Sequence, residues 1–362
     1  MVHRVALAMQ GGGTHGAFTW GVLDRLLDEV AKGRLEIAAL SGSSAGAVNG
    51  ALCACGLSGG MTPDNAKKTK ALLAAFWQSL SERALLGGNP FSSGIMPNFF
   101  SGWNQDWNPV AIALEMMSLV FSPYNFPLYS NPLIPLLADF LPADAFAAIN
   151  HSSAPKLHVC AVNVGDNQRK LFTQPKLSIE TLLASACLPS QFRAIDIDNK
   201  FYWDGGYIGN PALEPLLKSC QDIIVVMVNP LRFAGVPPQS ARQILDRLND
   251  ISFNAPLVLE INAIHAVNKL LDKLPDDQAD ATGYRKIRLH FIRNEKAMEP
   301  LGFVGKSNAS FAFLQWLFDV GRETADHWVT HNFSRIGEAS TCNWKGLCNL
   351  EKDIIDPVLK AQ

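Results

Sequence analysis

Three short stretches hold residues whose types and spacing could do nucleophilic chemistry. Gly42-Ser43-Ser44-Ala45-Gly46 directly follows the apolar run Ile37–Leu40 and leads into a small-residue helical segment. G-x-S-x-G at a strand-to-helix turn strains the central serine and exposes its hydroxyl, while Gly42 and Gly46 leave room for crossing backbone. At a helix N-terminus, orphan N–H groups and the helix dipole favour developing negative charge. Ser44 is therefore a candidate nucleophile, with Ser43 on the motif's flank. Gly56-Leu57-Ser58-Gly59-Gly60 repeats the pattern. No strand precedes it, and its context is a helix stop followed by a loop.

The second stretch is GGGTHG, residues 11 to 16, between the apolar run Val5–Met9 and a helical pattern. Gly11, Gly13 and Gly16 also satisfy the dinucleotide fingerprint G-x-G-x-x-G. That chemistry requires an acidic residue at the end of the next strand, to bind a ribose hydroxyl. Glu36 has about the right separation but precedes the strand Ile37–Leu40. A serine turn stands where the acid should be. The loop instead reads as backbone N–H donors for an oxyanion beside Ser44.

A serine hydroxyl needs a base. His265, His290, His327 and His331 lie in the right half of the chain for a triad. None sits in a distinctive loop motif, and each reads as a structural histidine. His327 and His331 are one helical turn apart without a metalloprotease framework around them. The third stretch, FYWDGGYIGNPAL, is sharper: Asp204 ends an aromatic strand and precedes Gly205 and Gly206. Alone, such an aspartate is a turn former. Beside the other two motifs it reads as the base.

The positioning elements follow from hydrophobic periodicity. Strand-like runs occur at Val5–Met9, Ile37–Leu40, Leu157–Val164, Ile223–Val228 and Ile287–Ile292, with helical patterns such as Leu23, Leu26, Leu27 and Val30 between them. This alternation predicts an α/β fold with a largely parallel sheet covered on both faces. Residues 85 to 150 are rich in Gly, Pro and aromatics and read as an insertion, either a lid or acyl-binding wall or a structural excursion. After residue 230 the pattern turns helical. Ser240 and Gln243 fit a capping box there, and Ile244, Leu248 and Ile251 are expected to face the core.

The 362 residues carry a formal net charge of −2 and 48% hydrophobic residues. The size suits one large domain or two smaller ones. The charge gives no electrostatic footprint for nucleic acid or a polybasic membrane anchor, so any membrane contact would be apolar. Seven cysteines without a C-x-x-C pair, Cys53 and Cys55 among them, are expected to be reduced thiols of a cytoplasmic protein. Val5–Met9 is too short for a signal peptide, and no apolar run spans a bilayer.

GGGTHG, GSSAG and DGG, in that order, resemble the motifs of the patatin-like phospholipases, as does the approach ETLLASACLPSQFRAIDIDNKFYWDGG with its Ala-Ser-x-x-x-Pro. The resemblance covers about residues 5 to 230. It implies a three-layer α/β/α fold with a mainly parallel central sheet, and a Ser–Asp dyad with no catalytic histidine. Carried over, Ser44 is the nucleophile and Asp204 the general base. Gly11, Gly12 and Gly13 form the oxyanion hole, and Gly42, Gly46, Gly205 and Gly206 support the motifs. The expected substrate is a lipid or other acyl ester, cleaved through an acyl-enzyme without metal, calcium or organic cofactor, with peripheral contact at membranes. His15 stands where the family usually has arginine, which puts phosphate contacts at that loop in question. The expected organisation is a single domain over residues 1–362, with the motif-bearing core at about 5–230, a lid-like insertion at about 85–150 and a helical C-terminal extension at about 235–362. Arg193, near the DGG hairpin, reads as a surface salt bridge before a phosphate contact. A short-chain or carrier-thioester hydrolase and a catalytically silent binding module remain the alternatives.

Overall fold

The apolar run near the N-terminus forms strand β1 (His3–Met9), whose side chains divide between two cores. Val5, Leu7 and Met9 enter one buried cluster, and Ala6 and Ala8 enter the other. Alternate residues of a strand face opposite sides, so both faces of β1 are covered. The computed structural model describes residues 2–86, 122–125, 130–151, 153–231, 237–239, 241–302 and 304–341.

After β1 the chain forms α1 (Gly16–Ala31), β2 (Leu35–Gly42), α2 (Ala45–Gly56), α3 (Pro63–Leu86), α4 (Leu133–Phe140) and α5 (Ala143–Ile149). Next come β3 (Lys156–Asn163), β4 (Arg169–Thr173), α6 (Ile179–Ser185), β5 (Ile195–Ile197), β6 (Lys200–Asp204) and β7 (Asp222–Val226). The last part contains α7 (Ala241–Leu271), α8 (Asp276–Ala281), β8 (Arg288–Ile292), α9 (Glu295–Met298) and α10 (Phe311–Asn332).

The strands form one sheet in the order β5-β6-β3-β2-β1-β7-β8, with β4 on the other edge of β3. β1, β2, β3, β7 and β8 are parallel, β4 and β6 run antiparallel to β3, and β5 runs antiparallel to β6. On one face α1, α2, α3 and α10 pack through Phe18, Ala47, Trp77 and Phe313. On the other, α7 packs through Leu257, Ile261 and Ile264. This is the three-layer α/β/α arrangement with a mainly parallel centre. The segment after residue 230 is not only helical, because β8 pairs with β7 at the sheet edge.

The expectation for the start of α7 is corrected. Ile244, Leu248 and Ile251 are 44%, 52% and 48% exposed. The face that meets the sheet is the opposite stripe, through Leu257 and Ile261, so α7 carries apolar residues on both sides. Ser240 lies outside the described residues, and Gln243 Oε1 accepts the Gln239 N–H at 3.3 Å. Most of the predicted insertion, residues 87–121 and 126–129, also lies outside them. Cys53, Cys55, Cys160, Cys187 and Cys220 are free thiols. No helix among the described residues is long and apolar enough to cross a membrane.

Candidate active site

A fork in the sheet brings the serine and aspartate motifs together. One edge of β3 is occupied by β4, paired from His158 to Val162. The other edge is shared: β2 covers its first half, ending with Gly42 opposite Val159, and β6 covers its second half, ending with Asp204 opposite Ala161. β2 is parallel to β3 and β6 is antiparallel. Their C-terminal ends therefore advance on each other and stop at Cys160.

Ser44 follows directly from the end of β2 and is the N-cap of α2. Its φ of 53° lies in the left-handed region, which costs a non-glycine residue about 1–3 kcal/mol. The strained elbow read from G-x-S-x-G is therefore present. Ser44 is 7% exposed. Its N–H reaches the Ser185 carbonyl at 3.2 Å and the Ser185 hydroxyl at 3.0 Å. The flanking Ser43 is fully buried and donates its hydroxyl to the Gly209 carbonyl, so it is a tether rather than a reactive group.

Asp204 is fully buried. Its N–H donates to the Cys187 carbonyl at 2.9 Å, and its Oδ1 accepts the Gly206 N–H at 2.7 Å. Burial pushes its carboxyl up to about 7, against the opposing pull of the Gly206 N–H and the Ser44 hydroxyl. Oδ2 is buried without a hydrogen bond of normal length and angle, although the Ser44 hydroxyl is near enough to act on the carboxylate. Such bonds are often loose before substrate binds. Gly205 passes directly over the fork, where a Cβ would fall inside contact distance of the Cys160 carbonyl oxygen. Gly42 abuts the backbone of Gly46, Gly46 abuts the Met9 and Gln10 carbonyls at the end of β1, and Gly206 lies against the Phe253 ring.

The glycine loop lies beside Ser44, but its three residues differ. The Gly11 N–H donates to Asn210 Oδ1 at 2.6 Å, and the Gly11 carbonyl accepts from Asn229 Nδ2 at 2.8 Å. Gly11 is thus a fixed point of the loop, and its assignment as an oxyanion donor is corrected: its donor is already occupied. Its missing Cβ would sit 2.7 Å from Ser44 Cβ, so the close approach itself requires glycine. Gly12 and Gly13 line the cleft with Ser44 and Asp204. Among the described residues, the N–H groups of Gly12, Gly13 and Ala45 have no acceptor. Those donors could face one developing negative charge.

The cleft spans about 950 Å³ of non-atom space when its solvent-open mouth is included. Val48, Phe76, Trp77, Leu80, Leu133, Leu188 and Phe192 make most of its wall apolar. Leu133 comes from the end of the predicted insertion. Lys306 and Phe253 are contributed by the C-terminal segment, and Lys306 Nζ pairs with Asp250 at 2.9 Å.

The remaining candidates separate from this site. Glu36 pairs with Arg4 at 3.0 Å at the start of β2, the end of the strand away from the glycine loop. Ser58 follows the far end of α2, roughly 20 Å along its axis from Ser44. His290 Nε2 meets Asp222 at 3.0 Å, at the start of β7. His327 and His331 stack at 4.2 Å on α10, and His265 lies on α7. Arg193 donates to the Pro123 carbonyl at 3.1 Å and lies over the Tyr124 ring. His15 is 2% exposed behind the loop, edge-on to Phe313. Burial, with the Lys306 charge adding, pushes its imidazole down to about 3, so it is neutral at physiological pH.

Sequence reasoning missed the supports. Gln10 holds the Val228 and Asn229 N–H groups at 3.0 and 2.9 Å and reaches Asn254 of α7 at 3.0 Å. Ser185 had a signal, the Ala-Ser-x-x-x-Pro segment. Phe253 and Lys306 had none, because only the fold brings them to the cleft.

The chain matches the family model described as patatin-like phospholipase over residues 7–217. No curated protein matches it. Among solved structures, VipD from Legionella pneumophila is similar, with 15% identity and a TM-score of 0.38, covering 90% of this chain and 67% of that one. The matched span is more than half of the 362 residues and contains all three motifs. The chain belongs to the patatin-like phospholipase family.

Proposed function

We propose that this chain is a serine lipid acyl hydrolase with Ser44 as nucleophile and Asp204 as general base. The observation that carries the reading is the convergence of the strained Ser44 and the buried Asp204 at one fork, open to a largely apolar cleft. Asp204 takes the Ser44 proton as Oγ attacks the ester carbonyl. The oxyanion is met by the N–H groups of Gly12, Gly13 and Ala45. The tetrahedral intermediate collapses, the C–O bond breaks, and Asp204 returns the proton to the leaving alcohol. Water then attacks the acyl-enzyme and gives a proton to Asp204. Collapse releases the fatty acid, and that proton restores the Ser44 hydroxyl.

A pKa near 7 suits the base, since a carboxyl of ordinary pKa is a weak acceptor at neutral pH. The cleft wall supports a long acyl chain. Its Phe253, Asn249 and Lys306 come from beyond residue 230, which supports a single hydrolase unit running past the matched span. The test is hydrolysis of acyl esters of increasing chain length and of a diacyl phospholipid, by wild type and Ser44→Ala. Long-chain esters should be preferred and Ser44→Ala inactive. Preference for short or thioester substrates would overturn the lipid reading, and turnover by Ser44→Ala would overturn the nucleophile.

A further inference from the structure

We propose that Ser185 is a positioning residue that holds Ser44 in register with Asp204; this rests on reading those two as the catalytic dyad. Ser185 is the last residue of α6 and is fully buried. Its hydroxyl donates to the Cys160 carbonyl at 2.6 Å. That carbonyl lies at the fork, between the last partner of β2 and the last partner of β6. With its proton committed there, Ser185 Oγ accepts the Ser44 N–H at 3.0 Å, and the Ser185 carbonyl accepts the same N–H at 3.2 Å. Two residues later, the Cys187 carbonyl accepts the Asp204 N–H at 2.9 Å. A three-residue segment thus grips the backbone of both reactive residues and is itself pinned to the strand on which they converge.

The hydroxyl is the part of this segment that sequence can vary. A left-handed serine persists only where its surroundings over-determine it. The Ser44 N–H precedes α2 and takes no helix carbonyl, so Ser185 supplies its restraint. Alanine at 185 would leave the Cys160 carbonyl without this donor and Ser44 with one acceptor instead of two. Ser185 does not line the cleft, whereas its neighbours Ala186 and Leu188 do. Its influence on reaction therefore passes through Ser44 and not through substrate.

The test compares Ser185→Ala, Ser185→Cys and Ser185→Thr with wild type and Ser44→Ala, measuring kcat, KM and the pH profile on a soluble long-chain ester. Alanine and cysteine should lower kcat about 10–100-fold, the scale of a small misplacement of reacting groups. KM should stay within about twofold, and threonine, which keeps the hydroxyl, should recover most of the rate. The acidic limb of the profile should also move to higher pH, because the Ser44 hydroxyl that draws the Asp204 pKa down is displaced. Wild-type kcat in Ser185→Ala, a slower enzyme with an unmoved limb, or loss of fold in both the alanine and cysteine variants would overturn the proposal. Failure of the dyad itself shows separately, as no wild-type turnover or as activity in Ser44→Ala.

Discussion

Gly42 and Asp204 approach each other head-on along one edge of β3, their partners Val159 and Ala161 separated only by Cys160. A parallel and an antiparallel strand sharing one edge must have their C-terminal ends meet. The residues that close those ends are then neighbours whatever their separation in sequence. Ser44 and Asp204 are such residues.

Rate should rise with pH through the Asp204 titration. The active form is the carboxylate, and burial pushes its pKa up to about 7. Esterase activity should therefore be low at pH 5, half-developed near pH 7 and level above pH 8 (limits set by the width of a single titration). His15 is already neutral across this range, so His15→Leu should leave the limb in place. A limb that moves with His15, or a rate flat from pH 5 to 8, would contradict the assignment of the base.

Asp204→Asn should stabilise the protein in alkali while destroying activity. The folded carboxyl has its pKa raised from 3.8 to about 7, so the native state holds a proton that the unfolded chain releases. That stability is full below the unfolded value and is lost as pH rises through the folded one, by up to about 4 kcal/mol. Asparagine does not titrate. The Tm difference between variant and wild type should grow in the variant's favour from pH 5 to pH 8, and a constant difference would refute the raised pKa.

Gly205→Ala should disrupt the fork. The new methyl would press on the Cys160 carbonyl, costing about 1–3 kcal/mol or more and displacing Asp204. Thermal denaturation and ester turnover should both report it. A variant with wild-type Tm and rate would show that the strand ends yield more readily than this close contact implies.

His15→Arg, the change suggested by the resemblance of the glycine loop, should be harmful here. The imidazole is buried beside Lys306 and edge-on to Phe313, with no carboxylate among its hydrogen-bond partners. An arginine would bury a second cation, at about 3–5 kcal/mol. Chemical denaturation should show the loss, and unchanged stability would mean that the loop opens to water.

Much of this was legible because the motifs are local. G-x-S-x-G specifies its own elbow, D-G-G its own turn, and alternation in β1 its two covered faces. Glu36 could be rejected as a ribose ligand from strand order alone. Other features were hidden for physical reasons. Gly11 looks like Gly12 and Gly13 in sequence, and only Asn210, far along the chain, occupies its N–H. The apolar stripe at the start of α7 lies on the exposed face, the stripe that meets the sheet appears only from Leu257 onward, and periodicity does not tell which one is buried. Phe253 and Lys306 reach the cleft through tertiary packing that leaves no local pattern.

The most direct test of the dyad is mass spectrometry of peptides after fluorophosphonate treatment of wild type and Asp204→Asn. A single adduct on Ser44, lost or greatly slowed in Asp204→Asn with its fold intact, is the expected result. An adduct on Ser58, or Ser44 labelled equally fast without the Asp204 carboxylate, would contradict the account.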